Sequence, residues 1–411
     1  MHRRDFLKAA SLATLPLVLP LGSGAFAAVG AQPADRRLVV VFLRGAVDGL
    51  SVVVPYGDPA YYQSRRSIAI PPPGNGGALD LDGRFGLHPA LAPLMPMWKQ
   101  GQLAFVHACG SPDPSRSHFD AQHFMETGTP GVLATPDGWM NRLLATMPGP
   151  RSPTQAIALG PTLPDILKGK VAVANMPLGG KGVRPSPTDR PQVAAAFGTM
   201  YSGNDAMSEA FRQGQEARKE VMTASDDEKE QRIADNGAPP PNGFPATADR
   251  LAKLMARDPK IQLAFAALGG WDTHVNQGNV NGQLAGHLKP LGEGLTALAQ
   301  GLGPAWQDTV VIVVSEFGRT VRENGNAGTD HGHGDAMWVL GGNVRGGKVY
   351  GEWPGLSQER LWQGRDLAVT TDFRTAIGGV LHEHMRLDAA QVKTVFPGMP
   401  ANAGFPRLIK T

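Results

Sequence analysis

The sequence predicts an α/β protein built on a parallel sheet whose strands are covered by helices on both faces. Three segments carry that reading: 37–43 (RLVVVFL), 262–268 (QLAFAAL) and 309–314 (TVVIVV). Each is short, apolar and partly β-branched, without the polar alternation of a strand that has one face in water. Each also runs straight into a loop holding acidic residues, namely Arg44-Gly45-Ala46-Val47-Asp48-Gly49, Gly269-Gly270-Trp271-Asp272-Thr273-His274 and Ser315-Glu316-Phe317-Gly318-Arg319. In open parallel sheets ligands bind outside the carboxyl ends of the strands, so three strands that end in Asp or Glu point to one shared site.

Ahead of the first strand, Arg3-Arg4-Asp5-Phe6-Leu7-Lys8 resembles the twin-arginine export consensus. The apolar stretch that follows closes on Ala25-Phe26-Ala27, a small-x-small cleavage pattern, so residues 1–27 read as a removable signal peptide. Pro16, Pro20 and Gly22 interrupt the stretch and weaken the alternative, an uncleaved membrane anchor. The resemblance implies passage of the folded chain through the twin-arginine translocase to the periplasm, with no stable membrane span after cleavage. The remainder, about 384 residues, exceeds the usual single-core limit of about 250–300, which calls for one large domain with insertions or for two domains.

Between the first and second strands lie two further features. Residues 117–128 read as a helix with Ser117 at the N-cap and Asp120 completing a box-like cap. A helix start attracts anions, so Ser117 is placed to bind or attack a phosphoryl or sulfuryl group, although capping alone also explains it. Arg116 and His118 flank it, and Arg319 is a second anion-binding candidate. Residues 205–236, rich in Glu, Lys, Arg and Gln, read as a helical insertion, either a solvated surface element or a lid.

After the third strand, Gly328-Thr329-Asp330-His331-Gly332-His333-Gly334-Asp335 sets histidines and aspartates among glycines, which let a backbone bend around a small centre. The ligand-type residues at strand ends and in glycine-rich loops are therefore Asp48, Asp272, His274, Glu316, Asp330, His331 and His333. Carboxylate with imidazole suits zinc, manganese or iron, and the divalent metal ions to test are zinc, manganese, magnesium and calcium. His382-Glu383-His384 lies on a predicted C-terminal helix at a spacing that does not share a face, and reads as a solvated helix end.

Composition narrows the function classes. The formal charge is +3, and Arg3, Arg4 and Lys8 against Asp5 account for two of those charges, so the balance favours neither nucleic acid nor an anionic membrane as partner. Cys109 is the single cysteine, which excludes an intrachain disulfide and cysteine-based metal clusters.

Together, Arg44 to Leu50, Ser117-His118-Phe119-Asp120, Gly270 to His274, Ser315 to Thr320 and Asp330 to Gly334 resemble the bacterial family called domain of unknown function 1501. The resemblance implies a relation to the alkaline phosphatase and sulfatase superfamily. It further implies a three-layer α/β/α sandwich with a large, mainly parallel sheet over 37–411. Carried over residue by residue, it makes Asp48, Asp272, His274, Glu316 and His331 or His333 metal ligands and Ser117 the nucleophile, with His118 and Arg319 beside it. Phe317 stands where the superfamily has a metal-binding His, which puts a second ion in doubt. The expected function is an exported, metal-dependent hydrolase acting on a small-molecule phosphate or sulfate ester. The alternatives are a binding or assembly protein with a degenerate site on the same fold and, more remotely, a redox protein loaded before export.

Overall fold

The computed structural model describes residues 36–149, 151–160, 162–176, 226–400, 404 and 406–410. The expected signal peptide and the 205–225 part of the expected insertion lie outside the described residues. Pro33–Thr411 forms one compact unit.

The fold is α/β with three layers around a nine-stranded sheet. In chain order its strands are β1 (Arg37–Leu43), β2 (Leu103–Gly110), β3 (Ala156–Leu159), β4 (Ala174–Met176), β5 (Leu263–Leu268), β6 (Thr309–Ser315), β7 (Asp335–Gly341), β8 (Lys348–Tyr350) and β9 (Thr371–Asp372). They lie side by side as β8-β2-β7-β6-β1-β5-β3-β4, with β9 beside β2. Only β7 runs against the others. β1 is central because it is apolar beyond Arg37: Leu38, Val40 and Phe42 enter the core on one face, Val39, Val41 and Leu43 the core on the other. Each such fully buried side chain contributes about 1.5–3 kcal/mol relative to exposure.

Among the described residues the seven longer helices are α1 (His118–Thr127), α2 (Trp139–Thr146), α3 (Asp226–Asp235), α4 (Phe244–Arg257), α5 (Gln283–Leu302), α6 (Phe373–Glu383) and α7 (Ala389–Val395). α4 and α5 cover one face of the sheet, and α2, α6 and α7 cover the other. α4 and α5 pack closely at Gly294, where a Cβ would lie 2.2 Å from the Phe244 ring. No helix among the described residues is long and apolar enough to cross a membrane.

Register brings the strand ends level, with Leu43 opposite Leu268 on one side and Ser315 on the other. The loops carrying the acids thus leave one edge. Because β7 is reversed, its first residue, Asp335, lies at that same edge opposite Cys109, so the 316–334 loop leaves and returns there. β2 also ends there and feeds α1, whose N-cap is Ser117 and whose C-cap is Gly128 in the left-handed conformation (φ 68°). The Ser117 hydroxyl accepts from the Asp120 amide at a long 3.4 Å, and no reciprocal capping-box bond forms.

Two buried polar groups tie the edge and the opposite end of β1. Asp48 is fully buried and takes a two-pronged contact from Arg65 at 2.5 and 2.9 Å, plus Gln277 Nε2 at 2.7 Å. Burial opposes the charge of Asp48, but Arg65 outweighs it and holds the carboxyl below its usual range. His384 corrects the expected solvated helix end: its exposure is 1 % and its Nε2 meets the Arg37 carbonyl at 2.9 Å. His382, by contrast, is exposed.

Removing one partner of a buried ion pair strands the other, so Arg65→Met should cost about 3–5 kcal/mol in urea unfolding. The double variant Arg65→Met/Asp48→Leu should recover much of it, and equal losses in both would show that the pair is not coupled. A pH effect follows from His107 and His384, both pushed down to about 4 by burial. Their unfolded imidazoles take up protons near pH 6.5, while the buried ones do so only near 4. Stability is therefore intact above 6.5 and falls towards 4, by up to about 1.4 kcal/mol per pH unit for each histidine. His384→Gln should flatten that slope, and an unchanged slope would contradict the assignment.

Candidate metal centre

Close backbone approaches shape the loops at this edge. Gly45 (φ 113°) follows β1, and a Cβ on it would come within 2.8 Å of the Asp272 amide. Beyond β6, Arg319 and His331 form an antiparallel bridge, and a Cβ on Gly332 would fall 2.4 Å from the Arg319 carbonyl carbon. The glycines of the 328–334 segment thus let His331 lie against Arg319.

Four side chains converge there: Asp272 and His274 from the β5 loop, His331 from the β6–β7 loop, and His118 from the first position of α1. Each imidazole is anchored through Nδ1 to an oxygen. His118 meets Glu316 Oε1 at 2.7 Å, His274 meets Asp330 Oδ1 at 3.3 Å and His331 meets the Arg116 carbonyl at 2.9 Å. A carbonyl or carboxylate oxygen accepts only, so each Nδ1 carries a proton, and in its neutral form each ring turns an Nε2 lone pair towards the cluster. Those three Nε2 atoms face one another and Asp272 Oδ1. His331 lies 2.9 Å from His118 and 3.0 Å from His274; Asp272 Oδ1 lies 3.0 Å from His274, 3.3 Å from His331 and 3.6 Å from His118.

Neutral imidazoles so placed set lone pair against lone pair, which a proton taken up beside Asp272 or a bound cation relieves. Around an ion with bonds of about 2.0–2.1 Å, tetrahedral donors lie about 3.3 Å apart. The observed separations bracket that value, and imidazoles whose far nitrogens are held by oxygens are the usual support of such ligands. Glu230 on α3 adds a further carboxylate, 3.7 Å from His274 Nε2 and 3.8 Å from His331 Nε2. Glu230, Asp272, His274 and His331 each offer one donor atom within 4.8 Å of the others.

The electrostatics agree in sign. Burial opposes the charge of Asp272, but contacts from His118, His274 and His331, with Arg319 beside it, hold its carboxyl far below the usual range. Burial works against protonation of His118, yet Asp272 and Glu316 outweigh it and push the imidazole up to about 9. The contact with Asp272 likewise raises His274. The site holds negative potential that a positive charge satisfies.

The other candidate residues have different surroundings. Glu316 is fully buried and saturated by His118, the Gly45 amide at 2.8 Å, Gln122 at 3.0 Å and the Ser315 hydroxyl at 3.0 Å, so it orients His118 instead of facing the cluster. Asp330 is exposed and supports His274 from behind. Asp48 is occupied by Arg65, and His333 stacks on Trp362 with ring centroids 5.2 Å apart; neither joins the cluster. Arg319, 1 % exposed, brings Nη2 to 2.8 Å from Asp272 Oδ1 without hydrogen-bond geometry. Phe317 packs its ring 5.0 Å from His118 and 5.1 Å from His331. Ser117, Arg116, Phe119 and Ile233 line a cavity of about 440 Å³ with His118, His331 and Glu230. A second of similar volume lies against Asp272, His274, Val275 and Glu230. Glu230 is the residue that sequence reasoning missed, since an acid in a run of charged helical residues carries no mark of a ligand.

Solved structures that align with the chain share little sequence with it. A protein in the alkaline phosphatase superfamily from Vibrio parahaemolyticus aligns at 11% identity and a TM-score of 0.37 over 77% of this chain, which spans 62% of that structure. A 2-O GAG sulfatase, BT1596, aligns at 9% identity and 0.39, covering 90% of this chain and 76% of the other. The C-terminal periplasmic domain of EcEptC from Escherichia coli, in complex with Zn, aligns at 11% and 0.34, covering 74% and 72%. No curated protein matches. Residues 35–396 match the family described as "Protein of unknown function (DUF1501)", and the chain belongs to that family.

Proposed function

We propose that the chain is an exported metal-dependent hydrolase that acts on phosphate or sulfate esters through a single-ion centre. The observation that carries this reading is the convergence of three Nε2 lone pairs and Asp272 Oδ1, each imidazole anchored through its other nitrogen. His118, His274, His331 and Asp272 would hold the ion. When bound, such an ion supplies charge at an ester oxygen and lowers the pKa of a coordinated hydroxyl.

The chain's own groups supply the remainder. Ser117 is exposed, its capping bond is long, and it shares a cavity with His118 and His331, so its hydroxyl is accessible as a nucleophile. The start of α1 favours an anionic group beside it. Arg319 places a buried positive charge against Asp272. Arg116 lines the same cavity, but its charge is engaged by Asp366 at 2.6 Å.

A second reading, a degenerate-site binding or assembly protein, is favoured by the neighbours of the centre. Arg65 occupies both oxygens of Asp48, and Phe317 offers no donor, so neither supports a second ion. Export to the periplasm rests on the Arg3-Arg4 pair and the cleavage pattern that follows it.

Elemental analysis of the purified chain should find close to one zinc or manganese per molecule, absent from Asp272→Ala. Ser117→Ala should keep its ion, lose about 0.5–2 kcal/mol at most from the cap, and lose turnover in a screen of phosphate and sulfate esters. Turnover that survives Ser117→Ala would remove the serine from the mechanism; absence of any ion would favour the binding-protein reading. For export, replacing Arg3 and Arg4 with Lys should hold the precursor in the cytoplasm, and an undiminished periplasmic yield would refute twin-arginine export.

A further inference from the structure

The Glu230 carboxylate differs from every other donor in the centre. Its side chain is 49% exposed, against 2% for Asp272, 15% for His331 and 24% for His274. It stands 3.7 and 3.8 Å from the histidine nitrogens, whereas the inner donors stand mostly near 3 Å from one another. Among the described residues no hydrogen bond holds its carboxylate, while each imidazole is anchored through Nδ1. Glu230 is also the one acid that lines both cavities beside the centre.

Its backbone, by contrast, is fixed. One turn further along α3, Asp235 Oδ1 accepts from the Gly270 amide at 2.6 Å, and the Ala234 carbonyl accepts from Gln122 Nε2 at 2.6 Å. Gln122 in turn donates to Glu316, the residue that orients His118. The helix is thus registered on the centre, and only the side chain, with its three rotatable bonds, is free to leave.

On the metal-centre reading above, we propose that Glu230 is the exchangeable donor of this site: its carboxylate holds the position that a tetrahedral oxyanion takes, and swings out when the anion enters. His118, His274, His331 and Asp272 would then be the donors that retain the ion. Glu230 is therefore a specificity-determining residue, since only an anion that outcompetes a tethered carboxylate gains the ion. Because Glu230 lines both flanking cavities, its displacement would open the anion's position towards each of them. The apolar Phe119 and Ile233, exposed to 72% and 55%, border the first of these.

The test uses the full chain loaded with cobalt(II), titrated with inorganic phosphate and followed by its visible absorption. Wild type, Glu230→Ala and Glu230→Gln should all hold one ion per chain. A tethered competitor lowers apparent affinity by the fraction of time it occupies the position, so phosphate should bind both variants on the order of tenfold more tightly than wild type. Loss of the ion from either variant would make Glu230 a structural ligand and overturn the proposal, as would equal phosphate affinity in all three. A wild-type chain that holds no ion would instead remove the metal centre itself.

Discussion

Four carboxylates buried at one edge of the sheet must each be relieved of an unpaired charge, and the rest of the site is arranged around how that is done. A bare carboxylate in a protein interior is costly enough that it is paired, hydrogen-bonded or protonated. Asp48 is paired with Arg65. Glu316 is paired with His118 and surrounded by donors. Asp335, pressed against Gly49 where a Cβ would lie 2.0 Å from its Oδ1, is driven well up by burial. Asp272 alone is met by several imidazoles at once and borders a cavity. That surplus of donors separates a centre from a structural ion pair.

Sheet topology explains why so many groups reach one place. Parallel strands send their following loops to a common edge, and the level register of β1, β5 and β6 sets those loops side by side. The reversed β7 contributes as much as the parallel strands. Had the chain after β6 crossed to a further parallel strand, the loop would have had to leave the edge, whereas the reversal returns it there with His331 on its inner side. Glycines at 45, 328 and 332 remove the side chains that would hold these loops apart.

The apolar strands and their acidic ends were legible because burial on both faces leaves a continuous run in the sequence. Asp272, His274 and His331 were legible for the same reason: they follow those runs directly or sit among glycines. The division of labour was not. Nothing local to Asp48 announces Arg65, which lies 17 positions on and meets it only through the fold. Glu316 reads as a ligand in sequence, yet the amide of Gly45 and the side chain of Gln122, 271 and 194 positions away, turn it into support for His118. His333, two residues from His331, projects onto Trp362 because Gly332 between them redirects the chain. Site chemistry was readable as residue types at strand ends; assignment among those types depended on long-range partners.

The neutralisation of Asp48 by an arginine bears on what chemistry the edge can support. A guanidinium and a metal ion both cancel a carboxylate, but the guanidinium is fixed by its own hydrogen bonds, here to the carbonyls of Thr320 and Val321 as well as to Asp48. It cannot exchange ligands with an incoming anion. Asp48 is therefore closed to exchange, whereas Asp272 faces three imidazoles and borders a cavity. What borders that cluster comes from outside the central strands: Ser117 at the start of α1 lines one cavity and Glu230 of α3 lines both, so the sheet sets the cluster while α1 and α3 shape the cavities beside it.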